Sequence, residues 1–105
     1  MKYYAVAEIT IHSTDWVASY AKYVTKLVEA AGGKYLARTS DAELLEGDEC
    51  VKNISLIIEF PSKEAAYTFY ESEQYAPYLV SRKAGSSGRF ILVAGKDDAN
   101  TTSNV

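Results

Sequence analysis

Apolar and polar residues alternate along the first part of the chain in the pattern of a half-buried β-strand. The β-branched, aromatic and small residues over positions 3–12 favour extended structure, and the odd positions share one apolar face. That face consists of Tyr3, Ala5, Ala7, Ile9 and Ile11. The pattern predicts strand one.

The spacing of apolar residues then lengthens to that of an amphipathic helix over positions 17–31. Side-chain oxygens at Ser13, Thr14 and Asp15 precede this stripe and are suited to cap the helix N-terminus. Gly32 and Gly33 follow it, and glycine is the usual residue just after a helix. We therefore predict helix one between these two signals.

Two strands and a polar connection come next. Residues 34–39 predict a short strand, and residues 40–48 are polar apart from Leu44 and Leu45, which indicates a turn with a marginal strand. Residues 53–60 are apolar on one face and mixed on the other, as in a well-buried strand. Pro61 ends that strand because it lacks the N–H that the ladder needs.

Two helical segments and a last strand complete the pattern. Ser62 is suited to cap a second helix that runs to Ser72, and Pro77 would remove a hydrogen bond from its continuation. We therefore predict a break at 72–74 and a fresh helix to Ala84, closed by residues 85–88. Residues 89–95 predict the last strand, and the polar residues 96–105 predict a flexible tail.

The order β, α, β, β, α, β predicts a single α+β domain over residues 1–95 with a ferredoxin-like fold. In that fold two βαβ units interleave into a four-stranded antiparallel sheet, here in the order 4-1-3-2. Both helices then cover the same face. The length of 105 residues is enough for one hydrophobic core.

The sheet face away from the helices is too apolar to be left in water. It carries Tyr4, Val6, Leu36, Ile57 and either the pair Ile91 and Val93 or the pair Phe90 and Leu92. The area of such a patch would reach or exceed the ~300–600 Å² that is typical of the largest exposed apolar patch on a soluble monomer. We predict that a second copy covers it and forms a dimeric barrel. The alternative is that the segment around Leu44, or the second part of the helical region, folds across this face.

Composition and charge restrict the classes of partner and location. The net charge is -3, from 11 basic and 14 acidic residues that are well mixed, so no basic stripe predicts nucleic-acid binding. Cys50 is the single cysteine, which favours a reducing, cytoplasmic location. No run approaches the ~20 apolar residues that span a bilayer, and Glu8 interrupts the first apolar run, so neither membrane insertion nor a secretion signal is predicted.

Several spaced motifs resemble a known family. They are the segment GGKYLAR at 32–38, LEG at 45–47, EFPS at 59–62, Tyr70 with Ser72 and Tyr75, and Arg82. Together they resemble domain-of-unknown-function family 1330, over about residues 2–95. The resemblance implies the dimeric α+β barrel superfamily, which includes cofactor-free monooxygenases, lactone isomerases, haem enzymes and plain binding domains. The chain departs from the family pattern between Asp48 and Asn53, where the resemblance implies a tryptophan and then an arginine.

The candidate catalytic residues are Glu59, His12 and Glu8. Strand parity places both carboxylates on the face away from the helices, with His12 at the end of strand one and Arg38 nearby. A carboxylate together with an imidazole can exchange a proton with an enol or a phenol. The alternative is that the carboxylates pair with Arg38 or with lysines across the dimer interface and only set its register.

Tyr4, Arg38, Tyr70 and Arg82 are the candidate ligand-binding residues. A phenol can contact an aromatic ligand or donate to an oxyanion, and a guanidinium can hold a carboxylate. The alternative for the tyrosines is that their rings pack on the sheet. The alternative for Arg82 is an exposed salt bridge with a glutamate of the same helical region, Glu71 or Glu73.

No metal or cofactor is predicted, because a single histidine without other ligands at suitable spacing is weak evidence for either. The predicted function is that of a homodimer that binds a small apolar or aromatic organic molecule between sheet and helices. Cofactor-independent proton transfer or oxygenation is the reaction class left open. The alternative is a non-catalytic dimerisation or stress-associated module whose barrel is packed shut.

Overall fold

The computed structural model describes residues 1–48 and 53–99 of the chain. Cys50, most of the departure between Asp48 and Asn53, and the tail from residue 100 onward lie outside the described residues. The described elements follow in the order β1 (Tyr3–Ile11), α1 (Val17–Ala30), β2 (Lys34–Thr39), β3 (Ile54–Phe60), α2 (Lys63–Tyr70), α3 (Ala76–Gly85) and β4 (Ser86–Ala94).

The four strands form one antiparallel sheet in the order β2-β3-β1-β4, which confirms the predicted order 4-1-3-2. β1 lies in the middle of the sheet, with Ala5 opposite Ile58 of β3 and Leu92 of β4. The fold is therefore the predicted ferredoxin-like α+β arrangement. Residues 3–9 of β1 are flanked by residues of β3 and β4, so the sheet is continuous on both sides of β1 and has two distinct faces.

The core lies between the helices and the odd-numbered face of β1. Ala5 and Ala7 are buried there, and their small side chains allow the helices to approach the sheet closely. An aromatic series fills the space above them: the rings of Phe60 and Phe69 lie 5.9 Å apart, and those of Phe69 and Tyr75 lie 4.4 Å apart. This series joins β3 to both α2 and α3.

The predicted break in the second helical region is present. Ser62 caps α2, since its hydroxyl accepts a hydrogen bond from the Ala65 N–H at 3.0 Å. After α2, the Ser72 hydroxyl donates to the Phe69 carbonyl at 2.8 Å and accepts from the Tyr75 N–H at 3.2 Å. These bonds hold the turn between α2 and α3, and Pro77 stands in the first turn of α3, where its missing N–H costs nothing.

Two predicted boundaries are wrong. No side chain caps α1: its N-cap is Trp16, and the Val17 N–H is satisfied by the Thr14 carbonyl at 3.1 Å instead. β4 begins at Ser86 rather than at residue 89, so residues 86–88 belong to the strand. It can pair with β1 because Gly88 adopts a φ of +146° opposite Ile9.

The segment around Leu44 does not cover the open face, and it forms no strand. Residues 41–45 have no regular structure, and both Leu44 and Leu45 are exposed. The helices do not cover this face either, and it presents Leu36 (48% exposed), Ile57 (37%), Ile91 (43%) and Val93 (42%). Phe90 and Leu92 pack on the core side, which decides between the two pairs left open by the sequence. Within the described residues, no helix is long and apolar enough to cross a membrane.

Gly88→Ala should be strongly destabilising, because its Cβ would lie 2.0 Å from the backbone oxygen of Glu8. Backbone strain and steric overlap together should lower the free energy of unfolding by about 3 kcal/mol or more. Gly47→Ala is a matched control, since Gly47 also has a positive φ, +111°, but its Cβ would meet nothing within 4 Å. Urea unfolding should show a loss of only about 1 kcal/mol for the control. Equal losses would contradict the close approach of β4 to β1.

Candidate functional site

Glu59 and Tyr4 lie together on the open face, opposite each other in the pairing of β1 with β3. The Glu59 carboxylate is engaged, since its Oε1 lies 3.1 Å from the Lys2 ammonium nitrogen. Lys34 of β2 faces Glu59 from the other side in the register. The surroundings of Glu59 are therefore cationic. This agrees with the alternative in which the carboxylate pairs with lysines and only sets the register of an interface.

The three candidate catalytic residues do not form one cluster. Glu59 faces Tyr4 near the start of β1, whereas His12 follows the end of that strand, eight residues or about 26 Å further on. Glu8 lies between them, opposite Ser55 and Arg89. A catalytic pair of Glu59 and His12 within one subunit is therefore excluded by the register.

Arg38 lies on the helix side of the sheet, and its predicted place near Glu59 and Glu8 is wrong. The register shifts between Tyr35 and Ala37, so that Leu36 forms a β-bulge. The extra residue reverses the alternation of faces, and Arg38 stacks 3.8 Å from the Tyr35 ring centroid. Its Nη1 donates a hydrogen bond to the Thr25 hydroxyl of α1 at 2.8 Å.

Tyr70 and Arg82 come together beside the edge strand β4. An apolar cavity of about 210 Å³ lies between α2 and this strand, lined by Ala5, Phe60, Ala66, Tyr67, Phe69, Tyr70, Phe90, Ile91 and Leu92. A second cavity of about 220 Å³ is lined by Tyr70, Arg82, Lys83, Ser86, Ser87, Gly88 and Phe90. Tyr70 and Phe90 border both, with their rings 6.0 Å apart. We call the two cavities together the β4 groove.

Arg82 is buried, so the alternative of an exposed salt bridge with Glu71 or Glu73 is wrong. The residue is only 7% exposed, and its guanidinium carbon lies 5.2 Å from the Phe90 ring centroid. Two guanidinium nitrogens, Nε and Nη2, are buried and have no hydrogen-bond acceptor among the described residues. A charged group in this state is a strong candidate for ligand contact.

The buried Tyr75 and the half-buried Tyr20 accompany Arg82. The hydroxyls of Tyr20 and Tyr75 are hydrogen-bonded to each other at 2.5 Å. Burial, and then the neighbouring Tyr75, raise the pKa of Tyr20 far above its ordinary value of 10.0. Burial lowers the pKa of Arg82, but the nearby Tyr75 and Tyr20 hydroxyls outweigh it, and the net pKa is raised. The guanidinium is therefore charged and the Tyr20 phenol neutral near neutral pH.

His12 reaches the β4 groove indirectly. Its Nε2 and the Ser87 hydroxyl are hydrogen-bonded at 2.8 Å, and Ser87 lines the cavity that contains Arg82. Of the sequence candidates, Tyr70, Arg82 and His12 thus gather at one site, and Glu59, Tyr4, Glu8 and Arg38 lie elsewhere. No group of three or more metal-ligating side chains occurs within residues 1–48 and 53–99.

Sequence reasoning missed the pairing of Tyr20 with Tyr75. Tyr20 lies on the apolar stripe of α1, and Tyr75 belongs to one of the family motifs, so each carried a signal of its own. Their contact joins residues 55 positions apart. Only the packing of α1 against the turn before α3 reveals it.

Comparison with known proteins supports the fold. A family model described as a domain of unknown function, DUF1330, matches residues 2–96. Among solved structures, a protein of unknown function from Rhodopseudomonas palustris, RPA0582, is similar with a TM-score of 0.78 and 17% identity. The alignment covers 91% of this chain and 83% of that protein. No curated protein matches the chain significantly.

Two further solved structures share the fold of this chain. SnoaB, a cofactor-independent oxygenase from Streptomyces nogalater, is similar with a TM-score of 0.63, 14% identity and coverage of 94% of this chain and 97% of that one. Rv0793 from Mycobacterium tuberculosis is similar with a TM-score of 0.54, 13% identity and coverage of 94% and 99%. At these identities the likeness establishes the fold alone.

Tyr20→Phe should change how stability depends on pH. The unfolded chain releases the Tyr20 proton from pH about 10 upward, while the folded chain retains it because its pKa is raised. Stability should therefore fall as the pH rises above about 10, and the variant should show a slope smaller by up to about 1.4 kcal/mol per pH unit.

At pH 7 the same variant should lose about 1–2 kcal/mol, because Tyr75 loses its hydroxyl partner. Tyr23→Phe, which removes an exposed phenol hydroxyl, is the control and should lose less than about 0.5 kcal/mol at pH 7. Urea unfolding followed by circular dichroism at several pH values measures both effects. Identical alkaline slopes for the wild type and Tyr20→Phe would show that the folded chain does not retain the Tyr20 proton.

Proposed function

We propose that this chain, which belongs to the DUF1330 family of domains of unknown function, is a homodimer that binds a small aromatic or apolar organic molecule in the β4 groove. The observation that carries the proposal is the apolar cavity of about 210 Å³ between α2 and β4. Its walls are aromatic and aliphatic, with Tyr70 and Phe90 at one end, which is the usual make-up of a small-molecule site.

The location of the groove at the sheet edge supports ligand entry. β4 is bonded to β1 on one side only, so ligand exchange there need not open the core. Ile91 and Tyr67 are exposed lining residues, whereas Phe60 and Ala66 are buried ones. A ligand could therefore pass from solvent to the buried wall of the cavity without opening the core.

SnoaB is described as a cofactor-independent oxygenase, and we include such chemistry in the proposal as the first reaction class to assay. Tyr70 and Arg82, which line the groove, would supply a hydrogen-bond donor and a positive charge. Groups of this kind stabilise a developing oxyanion. A cytoplasmic location belongs to the same proposal.

The dimer is proposed from the exposed apolar residues of the open face, which the helices of the same chain leave uncovered. Around them lie charges of both signs, the Lys2–Glu59 pair and the opposed residues Glu8 and Arg89. A two-fold interface must be complementary to itself, and a face with an apolar centre and mixed charges meets that requirement.

Leu92→Trp should block the apolar cavity, since Leu92 is a half-buried lining residue on β4. Fluorescence titration with prodan, a neutral naphthalene dye, should show saturable binding to the wild type. The variant should bind on the order of tenfold or more weakly. Val80→Trp is the matched control, because Val80 is exposed on α3 and lines neither cavity of the groove. Absence of saturable binding to the wild type, or equal binding by two folded tryptophan variants, would refute the site.

Ile57→Glu should convert the proposed dimer into a monomer, because it would bury a carboxylate in the centre of the interface. Native mass spectrometry and sedimentation velocity should give the wild type twice the chain mass of 11.6 kDa and the variant a single chain mass. Val80→Glu places the same charge on the exposed surface of α3 and should remain dimeric. A monomeric wild type would overturn the dimer proposal, and a mass in excess of two chains would reveal a retained small molecule.

A further inference from the structure

The charge of Arg82 has no anionic partner among the described residues. Among the described residues, the ion pairs are Lys2 with Glu59 and Lys96 with Asp98, and neither pair involves α3. A buried guanidinium without a carboxylate is unusual, since buried charges in proteins are ordinarily paired and hydrogen-bonded. The Nε and Nη2 atoms of this guanidinium are buried and have no hydrogen-bond acceptor among the described residues.

The Tyr75 and Tyr20 hydroxyls lie near the guanidinium and favour its charged form, but Nε and Nη2 still have no acceptor among the described residues. Other nearby acceptors of the chain are already engaged. The Gly85 carbonyl at the end of α3 accepts hydrogen bonds from the His12 N–H at 2.8 Å, the Ser13 N–H at 3.1 Å and the Trp16 indole at 3.2 Å. The Arg82 carbonyl accepts from the Ser86 hydroxyl at 2.5 Å. The last turn of α3 therefore has its own donors, and its carbonyl groups do not neutralise the guanidinium.

The remaining groups around the second cavity are cationic or hydrogen-bond donors. Lys83 lines the cavity together with Arg82, whereas the hydroxyls of Ser86 and Ser87 are already bonded to the Arg82 carbonyl and to His12. No aspartate or glutamate lines it. A cavity of about 220 Å³ with this lining is suited to an anionic group.

The two cavities lie side by side, because Tyr70 and Phe90 border both. One ligand that reaches around these rings could place different groups in each. We infer that the ligand of the β4 groove is an aromatic organic acid, whose ring lies in the apolar cavity and whose carboxylate pairs with Arg82. This inference rests on the proposed function, because it specifies the chemical class that the same groove accepts. Arg82 thereby becomes the residue that selects acids over neutral compounds of the same shape.

The test compares 2-naphthoate with 2-naphthamide, which share a ring system and differ in charge. Isothermal titration calorimetry at pH 7 should show the acid binding to the wild type at least on the order of tenfold more tightly than the amide. Arg82→Gln should reduce this preference to about onefold while amide binding persists. Lys83→Gln, which alters an exposed cation at the same cavity, should reduce the preference less than about threefold.

The outcomes separate this inference from the proposal on which it rests. Equal binding of acid and amide by the wild type would overturn the inference and leave the small-molecule site intact. Failure of both compounds to bind would overturn the site and the inference together. If Arg82→Gln unfolds, Arg82→Lys serves in its place: it keeps the charge without the planar fork, and should retain a reduced preference for the acid. An undiminished preference in a folded Arg82→Gln would refute the role of Arg82.

Discussion

The structure depends on a central strand that is apolar on both faces while helices cover only one of them. β1 is bonded to β3 and to β4, and its odd-numbered side chains form the floor of the core. Its even-numbered side chains, beginning with Tyr4 and Val6, belong to the open face. The hydrophobic effect therefore acts on both sides of the same strand. One side is buried by the helices of this chain, and the proposed second copy would bury the other.

The covered side is not a uniform hydrocarbon core. The aromatic series from Phe60 through Phe69 to Tyr75 continues into Tyr70 and Phe90, whose rings lie at the edge of the sheet. At that edge the packing leaves the β4 groove open. Buried polar groups need partners to remain stable, and Tyr20 and Tyr75 provide them for each other. Arg82 differs from these tyrosines in having buried nitrogens without acceptors, which is why the proposed ligand chemistry centres on it.

Much of the fold was predictable because the signals that specify it are local. Alternation placed Ala5, Ala7 and Ile9 in the core, and Pro77 marked the break between α2 and α3. The candidate site was predictable only in part, since Tyr70 and Arg82 lie in the β4 groove but Glu59 and Glu8 do not. For Arg82 the sequence left an exposed salt bridge open as the alternative to ligand binding, because helical spacing gives no information about what covers a helix. It is buried because Phe90 of β4 packs beneath it.

The sequence by itself determined the order of the elements, the faces of β1 and β3 and the apolar character of the open face, because each follows from the identity of neighbouring residues. Tertiary structure decided the remaining questions. A one-residue bulge at Leu36 moved Arg38 to the helix side, and the strand register separated Glu59 from His12. The approach of α1 to the start of α3 joined Tyr20 to Tyr75. These contacts link residues far apart in the chain, and they are specified by packing and hydrogen-bond register, which no local pattern encodes.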